Sequence, residues 1–354
     1  MIEPNQPSPT AVPAKPSLAR RLLGFQEAGL VGVVLLLAVL LIAYGHTDAR
    51  PGRPNTFLNA ANLVDGIATP MSYYAIMAVG LTIVIVSGGI DISVGSAMAL
   101  SGMVAATVLE RVVPDGGSAL AVVPLATVVA VSTGLACGLF NGLLVSSLRM
   151  HPFIVTLGTL SIYRCLATAP FTLKTLQAPE SLRVIFQAEV NGMRLVPLGV
   201  MLFVLLGGFV YLRLLAWGRE TYAVGGNEEA ARFSGISAGT VKLRVYAISG
   251  ALAGLAGLVS LGRFGTVSSS TGQAYELTVI AAAVVGGASL AGGRGTAVGA
   301  LLGTLIIALI ENAISITRLN QEWKLGIVGL AIIVAVALDS LGGRLRAWRL
   351  RGAR

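Results

Sequence analysis

Few residues in this sequence have the types and spacing that catalysis requires. The phosphate-binding pattern GxxxxGK[ST] does not occur, and none of the four lysines follows a glycine-rich loop. The segment Gly235–Gly239 fits GxSxG, but it lies between apolar runs instead of at a strand-to-helix elbow, and the chain has only two histidines. Cys137 and Cys165 lie inside apolar runs, so neither a disulfide nor a Cys/His metal cluster is expected. The sequence therefore predicts a protein with no catalytic or metal site of its own.

Ionisable side chains within or beside apolar runs are the next candidates for function. Asp91, Arg164 and Glu311 occupy such positions. Charged groups are costly in hydrocarbon and usually face a cavity or a partner. For Asp91 two compatible interpretations remain: a place near a substrate path together with Ser93, or a cap for the helix that begins at Ile92. For Arg164 and Glu311, a helix–helix ion pair or an interfacial position is favoured.

The longest polar segment between apolar runs, residues 217–241, predicts a short helix that projects from the membrane. It contains the sequence GGNEEAARFSGI. Asn227 is a favourable N-cap, two acids follow in the first turn, and Gly235 ends the helix. Phe233 and Ile236 would supply an apolar docking knob, although a helix that merely connects two spans fits the same pattern.

The composition indicates a protein that is solvated mainly by lipid. Hydrophobic residues make up 55% of the 354 residues, charged residues only 12%, and the mean hydropathy is +0.82. Soluble domains carry about 25% charged residues, so a soluble enzyme is excluded. No basic stretch is interleaved with aromatic residues, so a nucleic-acid partner is not expected.

Ten apolar runs are long enough to cross a bilayer, which predicts an all-α polytopic membrane protein of about ten transmembrane helices. Residues 28–341 would form the membrane domain, between a disordered cytoplasmic tail at 1–27 and a basic cytoplasmic tail at 342–354. The runs lie at 28–45, 67–87, 91–109, 119–146, 153–171, 196–216, 242–262, 274–291, 297–317 and 324–341.

The distribution of basic residues predicts that both termini face the cytoplasm. With that orientation, fifteen of the 25 Lys and Arg residues lie in inside segments and nine in outside segments, with Arg164 within a span. This excess agrees with the positive-inside rule. The 217–241 loop would then also be cytoplasmic.

Glycine patterns suggest broken helices and close helix packing. Gly88–Gly95 recurs as Gly286–Gly293 at an offset of 198 residues. Ten spans can be divided into two sets of five, which would form inverted five-helix repeats. Their glycine-broken helices would lie at matching places, as in many transporters. Chance similarity between two glycine-rich stretches is the alternative. Small-xxx-small ladders predict close helix contact. They comprise Gly134, Gly138 and Gly142, then Gly250 and Gly254, then Gly295, Gly299 and Gly303.

The polar loop resembles the EAA…G coupling motif of ABC importer permeases, through Glu229, Ala230, Ala231 and then Gly235. The surrounding GGNEEAARFSGI is similar to the form found in the ribose, xylose and arabinose group of monosaccharide permeases. The similarity runs over about residues 58–340, and the longer motif's Ile-x-Leu-Pro is missing here, as is common in this group. Three further stretches agree: AIMAVGLTIVIVSGGIDISVGS at 75–96, PFIVTLGTLSIYR at 152–164 and YELTVIAAAVVGGASLAGGRGTAVGALLG at 275–303.

The resemblance implies a permease subunit of a bacterial inner-membrane importer for a pentose or hexose. Its implied partners are a cytoplasmic ABC ATPase, a periplasmic sugar-binding protein and a second permease copy, as a homodimer or a permease pair. ATP would be bound by the ATPase, so no cofactor is expected in this chain. The implied ATPase-coupling loop comprises Gly225, Gly226, Asn227, Glu229, Ala230, Ala231 and Gly235, and the candidate substrate path comprises Gly88, Gly89, Asp91, Ser93, Gly95, Gly286 and Gly287.

Two other interpretations remain open at this point. A branched-chain amino acid ABC permease has a related architecture. A stand-alone secondary transporter or channel would need an ion-coupling site, normally several acids or histidines at the midplane, and only Asp91 and Glu311 are available.

Overall fold

The computed structural model describes residues 25–47, 55–113, 117–171, 175–190 and 193–320, and seven further helical residues between 323 and 337. In the five continuous ranges the chain forms twelve α-helices. They are α1 (Phe25–Thr47), α2 (Thr69–Val86), α3 (Val94–Val112), α4 (Ala119–Ser147), α5 (Pro152–Thr168), α6 (Glu180–Gln187), α7 (Leu195–Arg213), α8 (Ala216–Gly226), α9 (Glu228–Phe233), α10 (Ala238–Phe264), α11 (Tyr275–Val285) and α12 (Ala297–Ile316).

Short irregular elements join these helices. A π-helical turn, Asn62–Ala68, runs directly into α2, and a 3₁₀ turn, Ala169–Phe171, follows α5. Four two-residue strands form two antiparallel pairs. They are β1 (Leu176–Gln177) with β4 (Thr266–Val267), and β2 (Glu189–Val190) with β3 (Met193–Arg194).

The predicted all-α polytopic membrane fold is confirmed. Five helical segments are long and apolar enough to cross a membrane, and three shorter apolar helices accompany them. Nine of the ten predicted runs coincide with helices in the described ranges. Most of the tenth, 324–341, lies outside the described residues, as do residues 1–24 and 342–354 of the predicted tails; α1 already begins at Phe25, inside the expected N-terminal tail.

Two predicted spans have wrong boundaries. The run at 91–109 becomes helical only at Val94, because Asp91 and Ser93 hold the preceding backbone in a turn. The run at 274–291 stops being helical at Val285, so α11 has only 11 residues. Gly287 then takes φ +94°, a conformation that ends a right-handed helix. Apolar composition alone did not reveal this break.

The core is organised around α2. Of the apolar window in α2 and its π-helical lead-in, 94% is buried, against 28% for α4 and 33% for α7. The peripheral helices instead expose large apolar side chains such as Leu120, which is 90% exposed, and Phe203, which is 76% exposed. In water such a surface would be unfavourable, whereas lipid solvates it.

Glycine ladders bring α4 and α10 into backbone contact, as predicted. A Cβ on Gly134 would overlap the carbonyl oxygen of Gly250, and a Cβ on Gly138 would overlap that of Tyr246. Gly254 in turn meets Ala130. The ladder that begins at Gly295 also gives close contact, because its members Gly299 and Gly303 in α12 lie against the end of α11.

Candidate coupling helix and broken-helix turns

The predicted short helix is α9, and its cap and stop are confirmed. Asn227 Oδ1 accepts the backbone N–H of Ala230 at 2.9 Å. At the other end Gly235 has φ +81°, and the N–H of Ile236 donates to the carbonyl of Ala231 at 3.0 Å. This left-handed glycine stop satisfies carbonyls that the helix end would otherwise leave free.

The outer surface of α9 is open. Glu229 and Ala230 are exposed, and Phe233 is 86% exposed, whereas Ala231 is buried against the protein. Of the two residues predicted as an apolar knob, only Phe233 projects, because Ile236 packs against the core. An aromatic side chain left this exposed at the end of a capped helix is typical of a contact surface.

Two ionic contacts hold this loop to the membrane domain. Glu228 of α9 pairs with Lys242 of α10, with an oxygen–nitrogen distance of 2.7 Å. Arg244 of α10 pairs with Glu220 of α8 at 2.9 Å and lies 5.4 Å from the Trp217 ring centroid. The loop is therefore attached to α10 at two places.

Helix α8 was not predicted. Its buried residues, Gly218, Thr221 and Val224, recur at helical spacing, and that periodicity was the available signal. The segment was interpreted as a polar loop because exposed Trp217 and the charged residues Arg219 and Glu220 obscure this periodicity.

The two glycine motifs form two turns of the same kind, here called the first turn (Ser87–Ser93) and the second turn (Gly286–Thr296). In the first turn Gly88 has φ +80°, and the N–H of Gly89 donates to the carbonyl of Val84 at 3.1 Å. In the second turn Gly287 has φ +94°, and the N–H of Ala288 donates to the carbonyl of Ala283 at 2.9 Å. Both α2 and α11 therefore end in a Schellman motif.

The offset between the two turns in the structure differs by one residue from the offset between the two motifs in the sequence. The left-handed glycines Gly88 and Gly287 correspond at an offset of 199 residues, not the 198 inferred from sequence. The two turns also touch, because the N–H of Gly293 donates to the carbonyl of Val86 at 2.9 Å. The two turns therefore lie side by side in the fold, although 199 residues separate their left-handed glycines.

A buried polar network stabilises the first turn. Asp91 is 2% exposed, and its Oδ1 accepts both the N–H of Ser93 at 2.9 Å and the hydroxyl of Ser93 at 2.6 Å. Asn141 Nδ2 donates to Ser93 Oγ at 2.8 Å, and Ser249 donates to Asp91 Oδ2 at 3.5 Å. Asp91 thus has a structural role close to the predicted cap, but it holds the N-cap residue Ser93 of α3 and does not cap a helix beginning at Ile92.

The candidate path residues lie around these two turns. Gly89 lies close to the hydroxyl of Tyr246, which donates to the carbonyl of Ile90 at 2.8 Å. Gly286 lies against the carbonyl of Gly299, and Gly95 lies against the start of α11. The sequence analysis missed Asn141, Ser249 and Tyr246, because single polar residues on separate apolar helices carry no local pattern.

Arg164 lies at another point of the fold. Its guanidinium donates to the backbone carbonyls of Ser269, at 3.0 Å, and Thr271, at 2.7 Å, in the loop before α11. Glu311 lies partly buried on α12. In the described ranges no three His, Cys, Asp or Glu side chains converge on a point that would suit a metal ion.

Known proteins are similar in sequence to this chain over most of its length. Residues 63–336 match the family model described as "Branched-chain amino acid transport system / permease component". The ribose import permease RbsC of Escherichia coli K12 is 36% identical over 327 residues, covering 89% of this chain and 96% of that protein. The galactose/methyl galactoside import permease MglC of the same strain is 33% identical over 344 residues, covering 90% and 96%.

A third relative, the D-allose transport system permease AlsC of Escherichia coli K12, is 34% identical over 311 residues, covering 88% of this chain and 91% of that protein. No solved structure matches. The family match spans most of the chain and includes α2 through α12, so both turns and the capped α9 helix lie inside it. The chain therefore belongs to this family of membrane transport permeases.

Proposed function

We propose that this chain is the membrane-spanning subunit of an ATP-driven importer that translocates a monosaccharide, a pentose or hexose. The relatives named for ribose, galactose and allose support this substrate class. Among the described residues Asp91 is the only charged side chain in the buried interior, and such an interior suits a neutral, hydroxyl-rich solute, which Ser, Thr and Asn side chains and backbone carbonyls bind weakly. Weak binding favours release at the inner face.

The chain is proposed to leave ATP hydrolysis to a cytoplasmic ABC ATPase, since its sequence contains no GxxxxGK[ST] loop. The exposed face of α9 carries this proposal: Glu229, Ala230 and Phe233 project from a capped helix that the Glu228–Lys242 pair holds to α10. A periplasmic sugar-binding protein would deliver substrate, and a second permease copy would complete the path. Both termini and the α8–α9 loop would face the cytoplasm.

The proposed substrate path includes the first and second turns. Broken helices with glycine turns lie beside the path in many transporters, where backbone carbonyls become available to a solute. Gly88, Gly89, Asp91, Ser93, Gly95, Gly286 and Gly287 remain the candidate residues. Asp91 and Ser93 bond to each other and to Asn141 and Ser249, so we assign them to shaping the path rather than to binding sugar.

A charge reversal on α9 and a substitution at its glycine stop test the docking role. Glu229→Lys and Gly235→Asp should abolish sugar uptake in a strain carrying the matching ATPase and binding protein, while the permease still reaches the membrane. Glu110→Lys, at an exposed carboxylate near the end of α3, is the control for a charge reversal outside α9 and should reach the membrane at the wild-type level. Unchanged uptake in both α9 variants would contradict the proposal.

Gentle purification from the native membrane identifies the partners. Mass spectrometry should find an ATPase that carries tandem nucleotide-binding cassettes. An ATPase-free oligomer that still moves solute in liposomes would show a stand-alone transporter instead. Uptake of labelled ribose, galactose, allose and leucine then separates a sugar permease from the amino acid permease that the family description names.

A further inference from the structure

Gly225, in the last turn of α8, faces the interior and not the exposed tip of α9. A Cβ built on Gly225 would overlap the carbonyl oxygen of Val86 and lie 2.8 Å from the backbone nitrogen of Gly293. A Cβ on the next residue, Gly226, would meet nothing within 4 Å. The close approach is therefore specific to one side of α8.

The contact at Gly225 joins three segments of the chain. The end of α2 and the second turn are bonded directly, through the N–H of Gly293 and the carbonyl of Val86. A Cβ built on Gly292 would lie 2.5 Å from the carbonyl oxygen of Gly225 and 3.0 Å from the Cα of Gly88. The hydroxyl of Tyr222, three residues before Gly225, donates to the carbonyl of Gly295 at 2.5 Å. These residues together are called the Gly225 junction.

The geometry of the junction leaves little room for relative movement. Apart from the Tyr222–Gly295 hydrogen bond, the contacts described at the junction are backbone against backbone, so flexible side chains absorb little of a displacement there. Close-packed interfaces of this kind transmit strain. On the other side of α8, a single residue, Asn227, separates it from α9. A displacement of α9 therefore reaches Val86, Gly88 and the second turn through α8, while the Glu228–Lys242 pair links α9 separately to α10.

We infer that the Gly225 junction is where movement of the ATPase-docking helix passes to both broken-helix turns, and that Gly225 is a positioning residue for transport. This rests on the proposed function, because the turns matter for transport only if they border the path. It assigns Gly225 a different task from its neighbours in the coupling loop: Glu229 and Phe233 face the ATPase, whereas Gly225 faces the membrane domain.

Paired glycine variants test the junction in the complete transporter, with the ATPase and binding protein present. Gly225→Ala adds one methyl group at the junction. Gly239→Ala adds the same group in the first turn of α10. There the atom nearest to the new Cβ is the Cβ of Ser146, at an ordinary contact distance of 3.8 Å. Three quantities are measured: permease in the membrane, ATPase retained on purification, and sugar transported per ATP hydrolysed.

For Gly225→Ala we expect normal ATPase retention, with transport per ATP reduced about tenfold or more, since coupling between distant sites typically corresponds to about 5- to 150-fold. Gly239→Ala should match the wild type. Equal transport per ATP in Gly225→Ala and the wild type would overturn the inference and leave the proposed function standing. Failure of the wild type to transport any sugar with its ATPase would instead refute the proposed function.

Tyr222→Phe decides the matter if Gly225→Ala does not reach the membrane. It removes only the hydroxyl that bonds to Gly295 and adds no bulk. We expect intact ATPase retention with transport per ATP reduced about fivefold, because one hydrogen bond contributes about 1 kcal/mol. Wild-type transport per ATP in Tyr222→Phe would overturn the inference.

Discussion

The first and second turns end their helices in the same way and continue differently. Both α2 and α11 stop at a left-handed glycine with the same pair of backbone hydrogen bonds. Beyond that point the first turn is held by side chains, since Asp91 bonds Ser93 and Asn141 and Ser249 complete the network. The second turn instead makes close backbone contacts at Gly292 and Gly293 and accepts the Tyr222 hydroxyl at Gly295, and all three glycines have positive φ.

The difference follows from the space around each turn. Ser87, the residue before the left-handed glycine of the first turn, has room for its side chain and donates to the carbonyl of Val84 at 2.7 Å. The equivalent residue of the second turn is Gly286, and the carbonyl of Gly299 occupies the place where its side chain would be. One turn can thus be adjusted through side chains, whereas the other depends on glycine.

Exchanging these two equivalent residues should give the largest effect. Gly286→Ser puts a side chain against the backbone of α12, and overpacking of this kind destabilises by about 3 kcal/mol. The reverse change, Ser87→Gly, loses one hydrogen bond and should cost about 1 kcal/mol. The apparent melting temperature of each purified variant measures the difference, and equal losses would show that the turns are constrained alike.

Removing Asp91 should have an intermediate effect. Asp91→Ala leaves the buried N–H and hydroxyl of Ser93 without their acceptor, which costs about 2 kcal/mol. Asp91→Asn keeps a side-chain oxygen and should retain most of the stability. Melting temperatures and uptake are measured together. An Asp91→Asn variant that is stable but transports nothing would show that the charge itself acts in the path, contrary to the structural role assigned here.

The starts of the helices that follow the turns give the smallest expected effect. Thr296 caps α12, with its hydroxyl accepting the N–H of Gly299 at 2.9 Å, so Thr296→Ala should cost about 1 kcal/mol. Ser93 makes no such cap for α3, since its hydroxyl oxygen accepts from Asn141 and its hydrogen is donated to Asp91. Ser93→Ala should therefore lower the melting temperature by more when Asp91 is present than when it is absent. Additive losses in the Ser93→Ala, Asp91→Ala double variant would contradict this coupling.

Local sequence patterns predicted much of the fold and part of the candidate site. The apolar runs predicted nine helices, and Asn227 and Gly235 predicted the start and end of α9. These features depend on neighbours in the chain: capping, helical spacing and apolar run length act over a few residues. The break after Val285 was placed too late, because the run remains apolar beyond the point where Gly287 reverses the backbone.

The sequence by itself determined the solvent of this protein, its helical class, its glycine ladders and its projecting capped helix, since these follow from composition and short-range spacing. Only the tertiary structure decided that the two turns meet, that their true offset is 199 residues, and that Gly225 lies between them. It also brought Asp91, Asn141 and Ser249 together from three separate segments. The physical reason is that a backbone-to-backbone contact between distant segments needs a missing side chain on only one of them, and the sequence shows the glycine but not its partner.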